Sequence, residues 1–342
     1  AEFNSPLPIE WQRFECRNNR LAYFALQQDG FMKAALRLRE RYGAERIGVF
    51  IGTSTSGVQH TELAYRERDA ATQALPAWFD HRYSQNIFSI ADFVAHVLGF
   101  TGPSLAISTA CSSSAKVFAS ARRAIAAGTC DAAIVGGVDS LCLTTLYGFN
   151  SLQLVSGDIC RPADAARGGI SIGEAAGFAL LDPQAEAACS LLGYGETSDA
   201  YHMSSPDPDG QGAVASMRAA LECAGLDASL VDYINLHGTG TIANDNSESR
   251  AVSTVFGHDK PCSSTKGWTG HTLGAAGIVE ASIAMLCIEH GFMPRSLNTV
   301  TKDPGIEAGI LLEDRHTPVQ TVMSNSFGFG GSNCTLLLGR TP

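Results

Sequence analysis

Short, unbroken apolar runs separated by alanine-rich stretches constrain this chain more than any other feature. The runs cover residues 47–51, 105–108, 132–135, 233–236, 321–324 and 335–338. Continuous rather than alternating hydrophobicity predicts strands buried on both faces. Between them, residues 112–127 and 213–224 carry small and apolar side chains at helical spacing, which predicts helices covering both faces of buried sheets in a layered α/β protein. At 342 residues the chain is long enough for two such units around a shared core.

An approximate internal similarity sharpens that reading. Residues 105–115, Leu-Ala-Ile-Ser-Thr-Ala-Cys-Ser-Ser-Ser-Ala, run into a small-residue helix ending near Gly128, and residues 261–271 run into a helix from Gly274 to His290. Both read as strand, polar turn, helix. The second helix is apolar nearly all round, through Ala275, Ala276, Ile278, Val279, Ala281, Ile283 and Ala284, so it is predicted to lie buried at the centre. The expected organisation is two similar halves, residues 1–182 and 183–342.

The net charge of -10 argues against nucleic acid as a partner. Arg13, Arg17 and Arg20, followed by Lys33, Arg37, Arg39 and Arg41, form either a local basic patch for an acidic protein or simply a solvated helix face. The ten cysteines include no Cys-x-x-Cys pair and no His-rich cluster accompanies them. They read as reduced, buried thiols, which predicts a cytoplasmic location with neither disulfide framework nor metal site. No apolar run is read as a membrane span or a secretion signal.

Cys111 follows an apolar run and precedes a helix, so its sulfur is expected at a helix N-terminus, where unpaired amides and the dipole favour thiolate over thiol. Small polar neighbours, Ser108, Thr109 and residues 112–114, clear an approach to it. His237 lies in Leu236-His-Gly-Thr-Gly-Thr241, just past a strand, and His271 closes Lys266-Gly-Trp-Thr-Gly-His271 at the mouth of the apolar helix. A cysteine or histidine alone is ordinarily structural. Three of them in separate strand-end turns point to nucleophilic catalysis. A further turn, residues 325–333 with Phe327, Gly328, Phe329, Gly330 and Gly331, offers backbone N–H groups to an oxyanion.

Together these motifs resemble those of the β-ketoacyl-[acyl-carrier-protein] synthases, elongating condensing enzymes with the thiolase fold. The likeness runs from about Arg20 to Gly339 and includes Arg161-Pro162, Asp164, Gly173-Glu174 and residues 198–203 in order. It selects the Cys-His-His branch. Thiolases carry a second cysteine in the C-terminal glycine loop, where this chain has only Cys334 just beyond it; initiating synthases place Asn at His271; noncatalytic chain-length factors lack the nucleophile supplied by Cys111.

The resemblance implies a thiolase-like, five-layered αβαβα architecture and a decarboxylative condensation, in fatty acid, polyketide or aryl polyene assembly. Cys111 would carry the acyl group, with the amides of Cys111 and Phe329 as oxyanion hole. His237 and His271 would stabilise an enolate, supported by Lys266 and Glu280, although a structural ion pair is an equal reading for Glu280. Thr239 and Thr241 would bind substrate or only stabilise their turn; Phe327 and Phe329 would line the substrate site, and Thr55 the far end of the acyl pocket. Arg17, Arg20 and Arg167 match basic positions for docking an acyl carrier protein, whose phosphopantetheine arm carries the substrates, so that no other cofactor is implied. Family members are dimers joined at the edge near residues 105–108, which implies a homodimer or a heterodimer with a chain-length partner. The chain departs from the family pattern in three ways: no glycine-rich first strand is found before Arg20, the usual aromatic near residues 168–170 is missing, and Trp268 crowds its loop. The competing readings are a noncatalytic chain-length partner and a thiol hydrolase, for which no acidic residue clearly completes a relay near His237, although Asp245 is close in sequence.

Overall fold

The computed structural model describes residues 5–341. Its N-terminal part builds helices α1 (Arg17–Leu26) and α2 (Phe31–Tyr42), strand β1 (Ile47–Gly52), helices α3 (Val58–Arg66) and α4 (Ser89–Leu98), strand β2 (Ser104–Ile107), helix α5 (Ser113–Ala126), strand β3 (Ala132–Asp139), helix α6 (Leu143–Ser151) and strand β4 (Ala175–Leu181). The strands form one sheet in the order β2-β1-β3-β4, parallel except for β4.

The C-terminal part begins with β5 (Cys189–Ser198), α7 (Gln211–Ala224), β6 (Tyr233–Asn235), α8 (Ile242–Phe256), β7 (Pro261–Ser263), the single turn α9 (Lys266–Thr269) and α10 (Ala276–His290). It ends with β8 (Phe292–Met293), β9 (Gly309–Ile310), β10 (Arg315–His316), β11 (Thr321–Gly328) and β12 (Ser332–Arg340). The second sheet runs β5-β12-β11-β6-β7-β9, and β8 with β10 forms a separate short ribbon.

Three apolar clusters show how the layers stack. One joins α1, α2 and α4 to the outer face of the first sheet through Leu26, Leu38, Phe93, Ile47 and Ile134. A second joins both sheets to α5 and α10 through Phe118, Val135, Ile278, Leu336 and Leu338. The third covers the other face of the second sheet with α7 and α8 through Met217, Val252, Met323 and Leu337. The result is the five-layered αβαβα stack of the thiolase fold.

The buried-strand expectation holds for β1 and β3, which are buried throughout. It does not hold for β2. That strand is an edge, with Leu105 46% exposed, because none of the described residues pairs with its outer side. The stretch Leu273–His290 is long and apolar enough to cross a membrane, contrary to the expectation that no run is. Its burial between the two sheets accounts for that composition.

Helices α5 and α10 cross almost backbone to backbone. A Cβ at Gly277 would fall 2.4 Å from the Ala115 nitrogen, so glycine is what permits the approach. The Ile278 N–H donates to Ser114 Oγ at 3.0 Å across the same crossing. The crossing brings the N-terminal ends of the two central helices, and the turns ahead of them, to one point.

Candidate active site

Cys111 occupies the turn between β2 and α5. Ala110 just before it has φ +52°, a left-handed conformation unusual for a side-chain-bearing residue and held here by local hydrogen bonds. Thr109 N donates to Ser113 Oγ at 2.9 Å, Ser113 Oγ to the Ala110 carbonyl at 2.5 Å, and Ser112 Oγ to the Thr109 carbonyl at 2.9 Å. The small polar residues thus close the turn.

The thiol is buried at 5% exposure. Burial pushes its pKa up to about 11, opposed by the Lys266 charge and by the Phe329 N–H facing the sulfur. The expectation of a ready thiolate from the helix start is therefore corrected for the substrate-free protein: desolvation outweighs the donors around the sulfur.

His271 reaches the same point from the other half, with Nε2 3.0 Å from Cys111 Sγ. The Leu273 amide donates to His271 Nδ1 at 3.3 Å, which assigns the remaining proton of the neutral ring to Nε2. His237 stands beside it, ring centroids 5.3 Å apart at 83°. Lys266 Nζ, which can only donate, lies 3.3 Å from His237 Nδ1, so this ring also carries its proton on Nε2. Burial first, and then the Lys266 charge, hold both histidines well below their usual pKa. They are neutral N–H donors.

Lys266 is itself buried. It pairs with Glu280 from α10 and donates to the His237 carbonyl at 2.5 Å. Ser326 Oγ approaches Glu280 at 3.4 Å, while burial raises the Glu280 pKa against the pull of Lys266. Glu280 thus touches the ammonium that orients His237 rather than either imidazole.

Two cavities meet at Cys111, Phe149 and Phe329. One is lined by His237, His271, Thr239, Thr241, Asn244 and Phe327. The other is lined by Ser54, Thr55, Thr145, Leu152 and Leu273. The rings of Phe149 and Phe329 stand 5.3 Å apart between them. Phe327 packs against His237 at 6.0 Å. Thr239 and Thr241 share a hydroxyl–hydroxyl bond of 2.9 Å, and Thr241 Oγ1 accepts from Asn244 N at the start of α8, so they stabilise their turn while facing the first cavity.

Sequence reasoning missed Glu248. From the buried face of α8 it accepts from the amides of His237 at 2.8 Å and Gly238 at 2.7 Å, and from Asn325 Nδ2 at 3.2 Å. Burial pushes its pKa up to about 7 against those donors. A carboxylate eleven residues after His237, on the helix face that also buries Ser249, Ala251 and Val252, is the signal that could have found it.

Arg167 is a correction. Expected at a docking surface, it is buried, with its guanidinium against Asp303 at 2.6 Å, Asn246 at 2.9 Å and Asp245 at 3.4 Å. It neutralises an acidic cluster and presents no charge outward. Arg17 pairs with Glu174 at 2.5 Å and Arg20 with Glu15, all partly exposed. Asp245 accepts from the Ala163 and Gly240 amides and therefore does not complete a relay with His237. Cys111, His237 and His271 offer ligand atoms within 4.8 Å of one another, a donor set that suits a soft divalent cation; the Lys266 ammonium beside His237 opposes one.

Known proteins are similar to this chain in sequence and in fold. Family models described as "Beta-ketoacyl synthase, N-terminal domain" and "Beta-ketoacyl synthase, C-terminal domain" match residues 13–187 and 188–300. A mitochondrial 3-oxoacyl-[acyl-carrier-protein] synthase of Arabidopsis thaliana is 35% identical, the match covering 98% of this chain and 77% of the relative. A ketosynthase (ApeO) solved in complex with its chain length factor (ApeC) from Xenorhabdus doucetiae is 41% identical with a TM-score of 0.91, covering 98% of this chain and 84% of that one. A ketosynthase solved with a type II polyketide synthase acyl-carrier protein is 26% identical with a TM-score of 0.86, covering 95% and 85%.

Proposed function

This chain belongs to the β-ketoacyl synthase family, and from that premise we propose the chemistry of a 3-oxoacyl-[acyl-carrier-protein] synthase in fatty acid, polyketide or aryl polyene assembly, with the following division of labour. It is an acyltransferase that forms a carbon–carbon bond. In the first half-reaction the Cys111 sulfur attacks the carbonyl of a carrier-bound acyl thioester, and the amides of Cys111 and Phe329 hold the oxyanion. The carrier thiol leaves, and the acyl group remains on Cys111 with its chain in the cavity lined by Thr55 and Leu273.

In the second half-reaction a malonyl thioester enters through the Thr239 side. Loss of carbon dioxide leaves an enolate whose oxygen accepts from the Nε2–H groups of His237 and His271. Its carbon attacks the acyl carbonyl, Cys111 departs as thiolate and recovers a proton, and the 3-oxoacyl chain stays on the carrier. The reaction is redox-neutral and the bonds balance, so the reading calls for no cofactor beyond the pantetheine arm.

The observation that carries this reading is the pair of neutral imidazoles, each with Nδ1 occupied by a donor, facing the same buried sulfur. A noncatalytic partner has no use for Cys111, and a hydrolase would have to activate a water that two N–H donors cannot deprotonate. The decisive experiment is intact-protein mass spectrometry with an acyl-loaded carrier protein, followed by malonyl carrier. A lasting acyl adduct on the chain, discharged as a 3-oxoacyl carrier, is the expected result; no adduct, or immediate hydrolysis, would overturn it.

We infer an acyl carrier protein as partner, docking near Arg17 and Arg20. Of the two assemblies expected, the ketosynthase solved with its chain length factor favours a heterodimer, and the exposed β2 edge of this chain is the junction we propose for it. Light scattering with and without a second synthase-like subunit distinguishes the two. The ten free cysteines support a reducing compartment, the cytoplasm.

A further inference from the structure

Asp139, the last residue of β3, takes no part in the reaction above, yet its carboxylate ties together two remote segments beside the site. It is fully buried. Oδ1 accepts from Thr53 Oγ1 at 2.7 Å, Ser54 N at 2.9 Å, Thr55 N at 2.9 Å and Thr55 Oγ1 at 2.8 Å. Oδ2 accepts from Ser54 N at 3.0 Å, Ser54 Oγ at 2.5 Å and Gly274 N at 2.6 Å. One set of donors is the turn after β1, which carries Thr55; the other is the entry to α10, three residues past His271.

Of the two residues between His271 and that anchor, the second is also unusual. Leu273 has φ +55°, a conformation that a branched side chain keeps only where its surroundings impose it. Its amide donates to His271 Nδ1, and its side chain lines the same cavity as Thr55. A Cβ at Gly274 would fall 2.7 Å from both Asp139 Oδ2 and Ser54 N, so only glycine lets the carboxylate take hold there. A buried carboxylate stripped of its donors is costly. The carboxylate therefore ties the two segments to each other.

We propose that Asp139 is a positioning residue that makes the acyl-cavity wall and the His271 turn one unit, so that the filling of the cavity governs how His271 presents its Nε2–H. The inference rests on the condensing reading above. An acyl chain that fits against Thr55 and Leu273 leaves the Leu273 amide on His271 Nδ1. One that displaces them loosens that bond and the tautomer it fixes. Chain selection is then expressed in the rate of condensation as well as in loading of Cys111.

Asp139→Asn tests this. An amide keeps one acceptor and turns the other into a donor; the orientation that preserves the four donors at Oδ1 sets an NH₂ group against Gly274 N–H. Cys111 acylation, read by intact mass, should stay within about twofold of the parent. Malonyl thioester decarboxylation, read in a Cys111→Gln background, should fall about tenfold, the scale of one misplaced hydrogen bond. The parent's preference among acyl chain lengths in condensation should flatten, and ring NMR of His271, assigned with His271→Ala, should change from one tautomer to a mixture. Equal losses in acylation and decarboxylation would show Asp139 to be merely structural and overturn the proposal, as would an unchanged ring spectrum. If the parent itself forms no 3-oxoacyl product the condensing reading fails, and the ring spectrum still decides whether Asp139 fixes the tautomer. Should Asp139→Asn not fold, Thr55→Val removes one donor at constant shape and should move the same readouts in the same direction by about threefold.

Discussion

Two strand-turn-helix units meet at the centre of the molecule, one delivering Cys111 ahead of α5 and the other His271 ahead of α10. The first is closed by its own neighbours: Thr109, Ser112 and Ser113 bond within five residues. The second is held from afar. His271 N donates to the Ser171 carbonyl, Gly274 N to Asp139, and Lys266 of the same turn reaches Glu280 and His237. A nucleophile needs a clear approach and a few local amides. A hydrogen-bond donor that must stay neutral, with its proton on a chosen nitrogen, takes that tautomer here from the neighbouring Leu273 amide, while partners on other elements hold the turn that presents it.

The comparison predicts that the two turns fail in different half-reactions. Cys111→Gln should abolish condensation while malonyl decarboxylation persists. His237→Ala or His271→Ala should lower decarboxylation by about two to three decades, the cost of losing an oxyanion donor. Carbon dioxide release and product formation, followed in parallel, measure both. Decarboxylation at the parent rate in both histidine variants would remove the enolate role, and equal effects of all three substitutions on both readouts would erase the distinction between the turns.

The contrast also explains what could be read from the sequence. Cys111 was legible because its support is written beside it, as was α10, whose all-round apolar pattern fits a helix between two sheets. Asp139 was not, since its partners lie 84–86 residues before it and 135 after it. Arg167 was misread for the same reason: a charge looks like surface until Asp245 and Asp303 fold around it. Strand β5 was missed because Gly193 and Gly195 weaken its strand character. They are there for packing, since a Cβ at Gly195 would fall 1.9 Å from the Ser216 carbonyl oxygen of α7. The chemistry was carried by local motifs, and its positioning by distant contacts.

How far the helix start activates the nucleophile can be measured directly. With the thiol raised to about 11 by burial, only the small thiolate fraction reacts. Alkylation of Cys111 in the substrate-free protein should therefore rise about tenfold per pH unit between roughly pH 7 and pH 9. Peptide mapping across that range gives the slope. A plateau reached below about pH 8 would mean that the helix-start amides outweigh desolvation, returning the Cys111 turn to the behaviour its sequence suggests.

The two cavities offer a finer comparison, because Thr55 lines only the one assigned to the acyl chain. Thr55→Phe should shorten the accepted chain and Thr55→Gly lengthen it, shifting the ratio of neighbouring chain lengths by about tenfold, the worth of one methylene in a fitted pocket. Both variants lose the hydroxyl bond to Asp139, so opposite shifts report bulk, whereas shifts in one direction would report the lost bond. Product analysis by mass spectrometry with mixed acyl carriers reads the outcome. Unchanged preference in both would take Thr55 out of the pocket wall.

The smallest effect belongs to the surface. Arg17 and Arg20 already face Glu174 and Glu15, so much of their field is spent within the chain, and exposed pairs of this kind are screened by salt. Neutralising both as Arg17→Gln and Arg20→Gln should raise the apparent KM for a carrier-borne acyl group by about threefold at low ionic strength and less at high. The rate with a small acyl thioester should not change, because that substrate reaches Cys111 without docking. An equal loss with both substrates would trace the effect to the bond that Glu174 accepts from Leu141 N at 3.0 Å, next to α6 and Phe149, and would make these arginines part of the cavity's framework instead of a landing site.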